Sequence, residues 1–324
     1  MCGVVGAFRQ PDGAQLVRTM LDRIPHRGPD AVGVREAGPG ENRAHLGHRR
    51  LSIIDLSTAS DQPFVKDGLW LSYNGELYNY KEVRAVLQAD GVRFVTDSDT
   101  EVVLEALRAW GPDALRRFRG MFAFALFDER QGTLLLARDP LGIKPLYVMP
   151  RGDGVLFASE LKAIVSAVGS ELTVNPRALV ASTLFYFVPE EVTSLDGVVK
   201  LPAGSWMRWG PQGGEGPHRY WDPVEEATRA AELPPADLAT VIEESVAAHL
   251  VADVPVASFL SGGLDSSLIT AMAASRSPSI EARTRSVSAR RGRGSPPSSS
   301  GTGDCRSSIC PRSPTSRSSR TACG

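Results

Sequence analysis

Large apolar residues all but vanish after Ile280, and only Val287 and Ile309 follow it. A segment with so little to bury cannot offset the entropy of ordering itself. Any folded core in this chain must therefore be built upstream. The chemistry of that end changes as well. Ten arginines lie between Arg276 and Gly324 against two acids, Glu281 and Asp304, whereas the last lysine is Lys200. Cys305, Cys310 and Cys323 crowd there, and Cys2 is the only cysteine before them. Their spacing comes without a nearby histidine and does not read as a metal site. Two origins fit such a segment. One is a genuine basic tail. The other is a reading-frame shift in a G+C-rich gene.

The rest of the chain reads as a soluble globular protein. A length of 324 residues allows about two domains. With a formal net charge of −1 there is no electrostatic case for nucleic acid or a membrane surface as a partner of the whole chain. No apolar run approaches the ~20 residues of a membrane span. The first residues lack the basic and apolar regions of a signal peptide, so a cytoplasmic location is expected. Four cysteines are too few for a disulfide framework at this size.

Patterning divides the ordered part in two. Residues 3–8 read as a buried strand, and residues 14–24 carry Leu16, Met20 and Ile24 at helical spacing. Residues 69–73 read as a strand closed by an Asn74-Gly75 turn. Residues 80–89 and 99–110 read as helices, the second capped by Ser98 or Asp99. Residues 121–127 and 133–137 form a hairpin, and 147–149 with 155–158 another strand pair. The result is an α+β domain over residues 1–208, with strands joined as antiparallel hairpins. Gly- and Pro-rich stretches mark 209–234 as a linker. After it the pattern becomes helix (237–250), short apolar strand (255–259), Gly-rich loop (261–267) and helix from 268, the opening of a parallel α/β domain over 235–280.

Both ends of the ordered part carry candidate chemistry. Met1 precedes a small residue, so its removal would leave Cys2 with a free α-amine as its own general base. Asn74 and Gly75 can supply an oxyanion hole, through a side-chain amide and a backbone N–H. A free amino-acid substrate also needs a cation and an anion, for which Arg50 and Asp99 are candidates. Ser261-Gly262-Gly263-Leu264-Asp265-Ser266-Ser267 follows a strand and precedes a helix, which suits a nest for phosphate oxygens. It is not a Walker A loop: it lacks the lysine and adds an acid, which suits pyrophosphate leaving from ATP beside Mg²⁺.

At these residues the sequence resembles the glutamine-hydrolysing asparagine synthetases. The stretches that carry the resemblance begin with Met1-Cys2-Gly3-Val4-Val5-Gly6, His26-Arg27-Gly28-Pro29-Asp30 and Arg50-Leu51-Ser52-Ile53-Ile54-Asp55. Tyr73-Asn74-Gly75-Glu76-Leu77-Tyr78-Asn79, Ser98-Asp99-Thr100-Glu101, the run 120–125, Arg138-Asp139-Pro140-Leu141-Gly142-Ile143-Lys144-Pro145-Leu146-Tyr147 and the loop 261–267 complete it. The resemblance implies a four-layer α/β/β/α N-terminal-nucleophile hydrolase sandwich. The first part of an adenine-nucleotide α-hydrolase-like parallel α/β domain would follow. By that likeness Cys2 attacks the glutamine amide, and Asn74 and Gly75 form the oxyanion hole. Arg50 holds the glutamine carboxylate, Asp99 its amine, and Leu51, Ile53 and Glu76 complete the pocket. Leu260 would contact adenosine, Ser261, Gly262, Gly263, Asp265 and Ser266 the pyrophosphate, and Asp265 a Mg²⁺ ion. Substrates would be glutamine, aspartate and ATP, and a homodimer is compatible with the resemblance.

The chain departs from that family after its first α/β unit, where residues 281–324 turn Ser/Arg/Pro-rich. A tail that interrupts a domain favours the frame-shift origin. Three functional outcomes follow from the sequence. The chain retains at most the glutaminase half of an asparagine synthetase, acts on a carboxylate other than aspartate, or is a non-catalytic product.

Overall fold

The computed structural model describes residues 1–189, 192–231 and 237–277, with the backbone of 281–284. In chain order the first elements are β1 (Gly3–Phe8), α1 (Gly13–Asp22), β2 (Ala31–Ala37), β3 (Ala44–Arg50), β4 (Phe64–Lys66) and β5 (Leu69–Leu77). Next come α2 (Tyr80–Ala89), α3 (Asp99–Trp110), β6 (Gly120–Asp128), β7 (Thr133–Arg138), β8 (Tyr147–Arg151) and β9 (Gly154–Ala158). Then follow α4 (Leu161–Val168), α5 (Pro176–Phe185), β10 (Val199–Lys200), β11 (Ser205–Gly210), β12 (Gly213–Arg219) and α6 (Pro223–Ala230). The last described elements are α7 (Leu238–Ala248), β13 (Ala257–Leu260), α8 (Leu264–Arg276) and β14 (Glu281–Thr284).

The layering follows from the period of two along each strand. In β1, Val4 and Phe8 pack with Ala123, Ala125, Phe127, Leu134 and Leu136. Val5 and Ala7 point the other way, into a cluster with Leu16, Val17, Met20 and Ile164. In β6 the same alternation sends Phe122, Phe124 and Leu126 toward Val83, Leu87, Val102 and Leu107 of α2 and α3. Two six-stranded antiparallel sheets result, ordered β10-β8-β9-β1-β3-β2 and β12-β11-β7-β6-β5-β4. Their inner faces share one core, while α1 and α4 cover one outer face and α2 and α3 the other. This is the α/β/β/α order expected for residues 1–208.

Several elements differ from the sequence reading. Asn74 and Gly75 do not turn. They lie inside β5, paired with Ala123 and Phe122 of β6. The long partner strand, rather than local turn propensity, decides their conformation. A Cβ on Gly75 would stand 2.5 Å from the Met121 carbonyl oxygen, so the close strand contact itself requires glycine. β2 occupies a stretch to which the sequence reading gave no element; its register with β3 supplies the backbone partners. The segment read as a linker, 209–234, begins inside the sandwich. Trp209 is buried, β12 pairs with β11, and Tyr220 donates its hydroxyl to the Arg138 carbonyl at 2.8 Å. Ser98 is the cap of α3, accepting the Thr100 N–H at 3.1 Å.

Past the sandwich, β13 and β14 pair in parallel with α8 between them, one βαβ unit. Glu281–Thr284 thus forms a strand inside the stretch read as a tail. The remainder of that stretch, with Cys305, Cys310 and Cys323, lies outside the described residues.

Candidate active site

Between the ends of the two sheets lies a cavity of about 190 Å³. Its wall contains Cys2, Arg50, Leu51, Ile53, Asn74, Gly75, Glu76 and Asp99, all of the residues expected to hydrolyse or bind glutamine. They arrive from different elements. Cys2 immediately precedes β1, Arg50 ends β3, Asn74 to Glu76 lie in β5, and Asp99 opens α3.

Cys2 is held by the chain that follows β3. The Leu51 N–H donates to Cys2 Sγ at 3.3 Å, and Sγ stands 3.5 Å from the Leu51 carbonyl. The Cys2 carbonyl accepts Arg27 Nε at 2.7 Å. Burial pushes the Cys2 thiol above its usual range, opposed by the Leu51 backbone and nearby positive charge. Asn74 is buried, and its Nδ2 has no hydrogen-bond partner among the described residues. A buried amide donor left unpaired beside a cavity is costly unless a ligand oxygen takes it.

Arg50 is already partly engaged. Its Nη1 donates to the Ser57 carbonyl at 2.8 Å and to Asp61 Oδ1 at 2.7 Å, and its Nη2 to the Asp55 carbonyl. A guanidinium has five N–H donors, so these three bonds leave two for a ligand. The loop after β3 is thereby wrapped around the cation it would present. Asp99 is buried and accepts from Tyr73 Oη at 3.1 Å and the Leu77 N–H at 3.0 Å. Burial outweighs those bonds and raises its carboxyl to about 6. An ammonium group arriving beside it would favour the charged form. Glu76 is raised by burial as well.

The cavity also holds residues that sequence reasoning assigned no role. Gln62 accepts the Tyr73 N–H at 2.6 Å and donates to Thr100 Oγ1 at 3.3 Å, bracing β5 against α3. Lys144 enters the wall from the loop after β7. It stands inside one of the quoted sequence stretches, but only the folded chain brings it beside Cys2.

The second expected site is arranged differently from the reading. The helix begins at Leu264, so Asp265 and Ser266 belong to the first turn of α8 rather than to a loop. Helix propagation from Gly263 is sealed by the Ser267 N–H donating to the Gly263 carbonyl at 3.1 Å. Ser261 Oγ and Ser266 Oγ lie 2.9 Å apart, and the Gly263 N–H reaches Ser261 Oγ at 3.4 Å. Gly262 has φ +85° with open space where a side chain would stand. Hydroxyls and a helix N-terminus around an open glycine suit phosphate oxygens. Leu260 ends β13 beside them. Among the described residues no three His, Cys, Asp or Glu side chains gather as a metal site, so Asp265 has no assembled ligand set around it.

Two family descriptions match this sequence: the glutamine amidotransferase domain over residues 1–221, and asparagine synthase over residues 237–299. Asparagine synthetase (glutamine-hydrolyzing) 1 of Bacillus subtilis (strain 168) is 39% identical over 295 residues, covering 87% of this chain and 45% of that protein. Amidase chry2 of Gibberella zeae is 37% identical over 292 residues, covering 84% of this chain and 42% of that protein. The chain thus spans less than half the length of either relative. Among solved structures, the glutamine phosphoribosylpyrophosphate amidotransferase from B. subtilis, complexed with ADP and GMP, aligns with a TM-score of 0.51 at 20% identity. That alignment covers 91% of this chain and 69% of the other. The likeness is one of fold.

Proposed function

Because this chain belongs to the glutamine amidotransferase domain family, we propose that it hydrolyses the side-chain amide of glutamine with Cys2 as nucleophile. The observation that carries this reading is the convergence of Cys2, the unpartnered Asn74 amide and the buried Asp99 on one cavity. After removal of Met1, the Cys2 α-amine takes the thiol proton and the sulfur attacks the amide carbon. Asn74 Nδ2 and the Gly75 N–H receive the oxyanion. The protonated amine gives its proton to the departing nitrogen, which leaves as ammonia. Water then cleaves the thioester to glutamate and restores the thiol. Arg50 grips the substrate carboxylate with its two remaining donors, Asp99 holds the substrate ammonium, and Leu51, Ile53 and Glu76 close the pocket.

The ammonia would serve amidation of an ATP-activated carboxylate, with aspartate as the acceptor. The similarity to proteins named asparagine synthetase supports this extension. Ser261, Gly262, Gly263, Asp265 and Ser266 would hold the nucleotide's phosphates, Leu260 would meet adenosine, and Asp265 is the candidate for Mg²⁺. For the 324-residue chain we propose glutamine hydrolysis without aspartate-dependent AMP release. The described part of the nucleotide module is one βαβ unit, with Phe259 75% and Leu264 85% exposed.

One assay tests these readings together: glutamate and AMP release from glutamine, aspartate and Mg-ATP by the purified chain. Glutamate without AMP is expected. Aspartate-dependent AMP would overturn the glutaminase-only part. No glutamate, or glutamate release undiminished in Cys2→Ala, would overturn the nucleophile.

A further inference from the structure

The chemistry of the cavity leaves one charged wall residue without a task. Lys144 is 6% exposed, and no hydrogen bond or ion pair of its Nζ occurs among the described residues. Burying an ammonium without a partner is unfavourable. It persists where the surrounding loop forces it, and here the loop is over-determined. Asp139 Oδ1 accepts the N–H groups of Leu141 at 3.1 Å and Ile143 at 2.9 Å. Asp139 Oδ2 accepts those of Phe122 at 3.2 Å and Lys144 itself at 2.9 Å. Arg138 Nε donates to the Lys144 carbonyl at 2.8 Å, and Arg138 Nη1 to the Leu201 carbonyl at 2.7 Å. Gly142 turns with φ +63°, where a Cβ would strike Arg138 Nη2 at 2.6 Å. The carboxylate and guanidinium are thus committed to backbone groups. Lys144 is the side chain this brace delivers to the cavity.

We propose that Lys144 is a second fixed cation of the glutamine pocket, beside Arg50, which acts through Cys2 by stabilising its thiolate during attack on the amide. The proposal rests on the reading of Cys2 as nucleophile. Burial disfavours the thiolate most, and Asp99 opposes it as well; the Leu51 N–H, the Met1 amine and Lys144 favour it. Around Lys144 stand Glu76 from β5, Asp139 from its own loop, Arg27 from the turn before β2, and Cys2. The charge of Lys144 favours sulfur as thiolate, against the burial that raises the thiol. Lys144 itself gives up no proton in the step. The S–H proton moves to the amine, the C–S bond forms, and the ammonium of Lys144 remains throughout.

The test uses the full chain and needs no substrate. Cys2 carboxamidomethylation by iodoacetamide is followed by mass spectrometry of the N-terminal peptide, from about pH 6 to about pH 10. Lys144→Met and Lys144→Gln are expected to move the Cys2 midpoint upward and to lower alkylation near neutral pH about five- to tenfold. Lys144→Arg is expected to stay within about twofold of the unsubstituted chain. Unchanged profiles in both neutral variants would overturn the proposal. So would an Arg variant as impaired as the Met variant, because packing rather than charge would then matter. Loss of the folded state in both neutral variants, read by circular dichroism, would assign Lys144 to the fold and also overturn it. A Lys144-dependent profile in a chain that turns over no glutamine would uphold the charge coupling and sink the glutaminase reading instead.

Discussion

The Asp253 carboxylate accepts the backbone N–H of Asp55 at 2.7 Å, while the N–H of Asp253 donates to the Ile53 carbonyl at 2.9 Å. Asp253 lies between α7 and β13, the strand that leads to the phosphate-loop residues. Ile53 and Asp55 belong to the loop that wraps Arg50. Beside this clasp the Tyr78 and His249 rings meet at a tilt, their centroids 4.3 Å apart. The segment between α7 and β13 is thus tied to the loop that wraps Arg50.

Removing that grip should loosen the loop without touching the nucleophile. Asp253→Ala is expected to raise the KM for glutamine about three- to tenfold, the range of one lost charge-assisted hydrogen bond at an exposed site, and to leave kcat within about twofold. Steady-state glutaminase kinetics check this. A fall in kcat with KM unchanged would contradict it.

Asn74 should show the opposite split. Its Nδ2 is unpartnered before reaction and gains its bond as charge develops on the substrate oxygen. Asn74→Ala is expected to lower kcat by about 10²- to 10³-fold with little change in KM. Retained glutamate binding, measured by calorimetry, would separate this effect from a collapsed pocket.

The Asp99 carboxyl, raised to about 6 by burial, sets an acidic limit on binding. Above that pH it is ionised and ready for the substrate ammonium; below it the proton competes. The expected kcat/KM for glutamine falls about tenfold per unit below pH 6. Bound substrate favours the charged form, so the limb of kcat should lie at lower pH than that of kcat/KM. A pH–rate series reads both limbs.

His48 gives an acid-stability prediction. It is fully buried in β3, its Nε2 donates to the Tyr73 carbonyl at 3.0 Å, and burial lowers it to about 3. Its folded value lies below the unfolded 6.5, so the unfolded chain binds the extra proton. The neutral ring stabilises the fold fully above pH 6.5, and that stability is lost as pH falls toward 3. The fall from 6.5 to about 3 corresponds to roughly 4–5 kcal/mol over the whole window. Urea titrations at stepped pH should show this slope, and His48→Gln should flatten it.

Local sequence sufficed where structure depends on neighbours along the chain. α2 and α3 occupy the residues their apolar spacing marks, and the alternating residues of β1 and β6 sort into opposite cores. The pocket side chains were legible for another reason. Cys2, Asn74-Gly75, Arg50 and Asp99 are each commonplace alone; the stretches that carry the family resemblance joined them and added Leu51, Ile53 and Glu76. Long-range pairing decided the rest. Asn74-Gly75 reads locally as a turn, yet the β6 partner nearly fifty residues later keeps it extended and points the amide into the cavity. β12 reads as a linker until β11 supplies its register. Lys144 shares the cavity wall with Cys2 because Arg138 and Asp139 bind the intervening loop from within. Helix periodicity is a property of residues three and four apart, and sequence alone determines it. Which strand lies beside which, and which charge shares a wall with the sulfur, is settled by contacts between residues far apart along the chain, nearly fifty for Asn74 and Ala123 and more than a hundred for Cys2 and Lys144, and only the tertiary structure decides them.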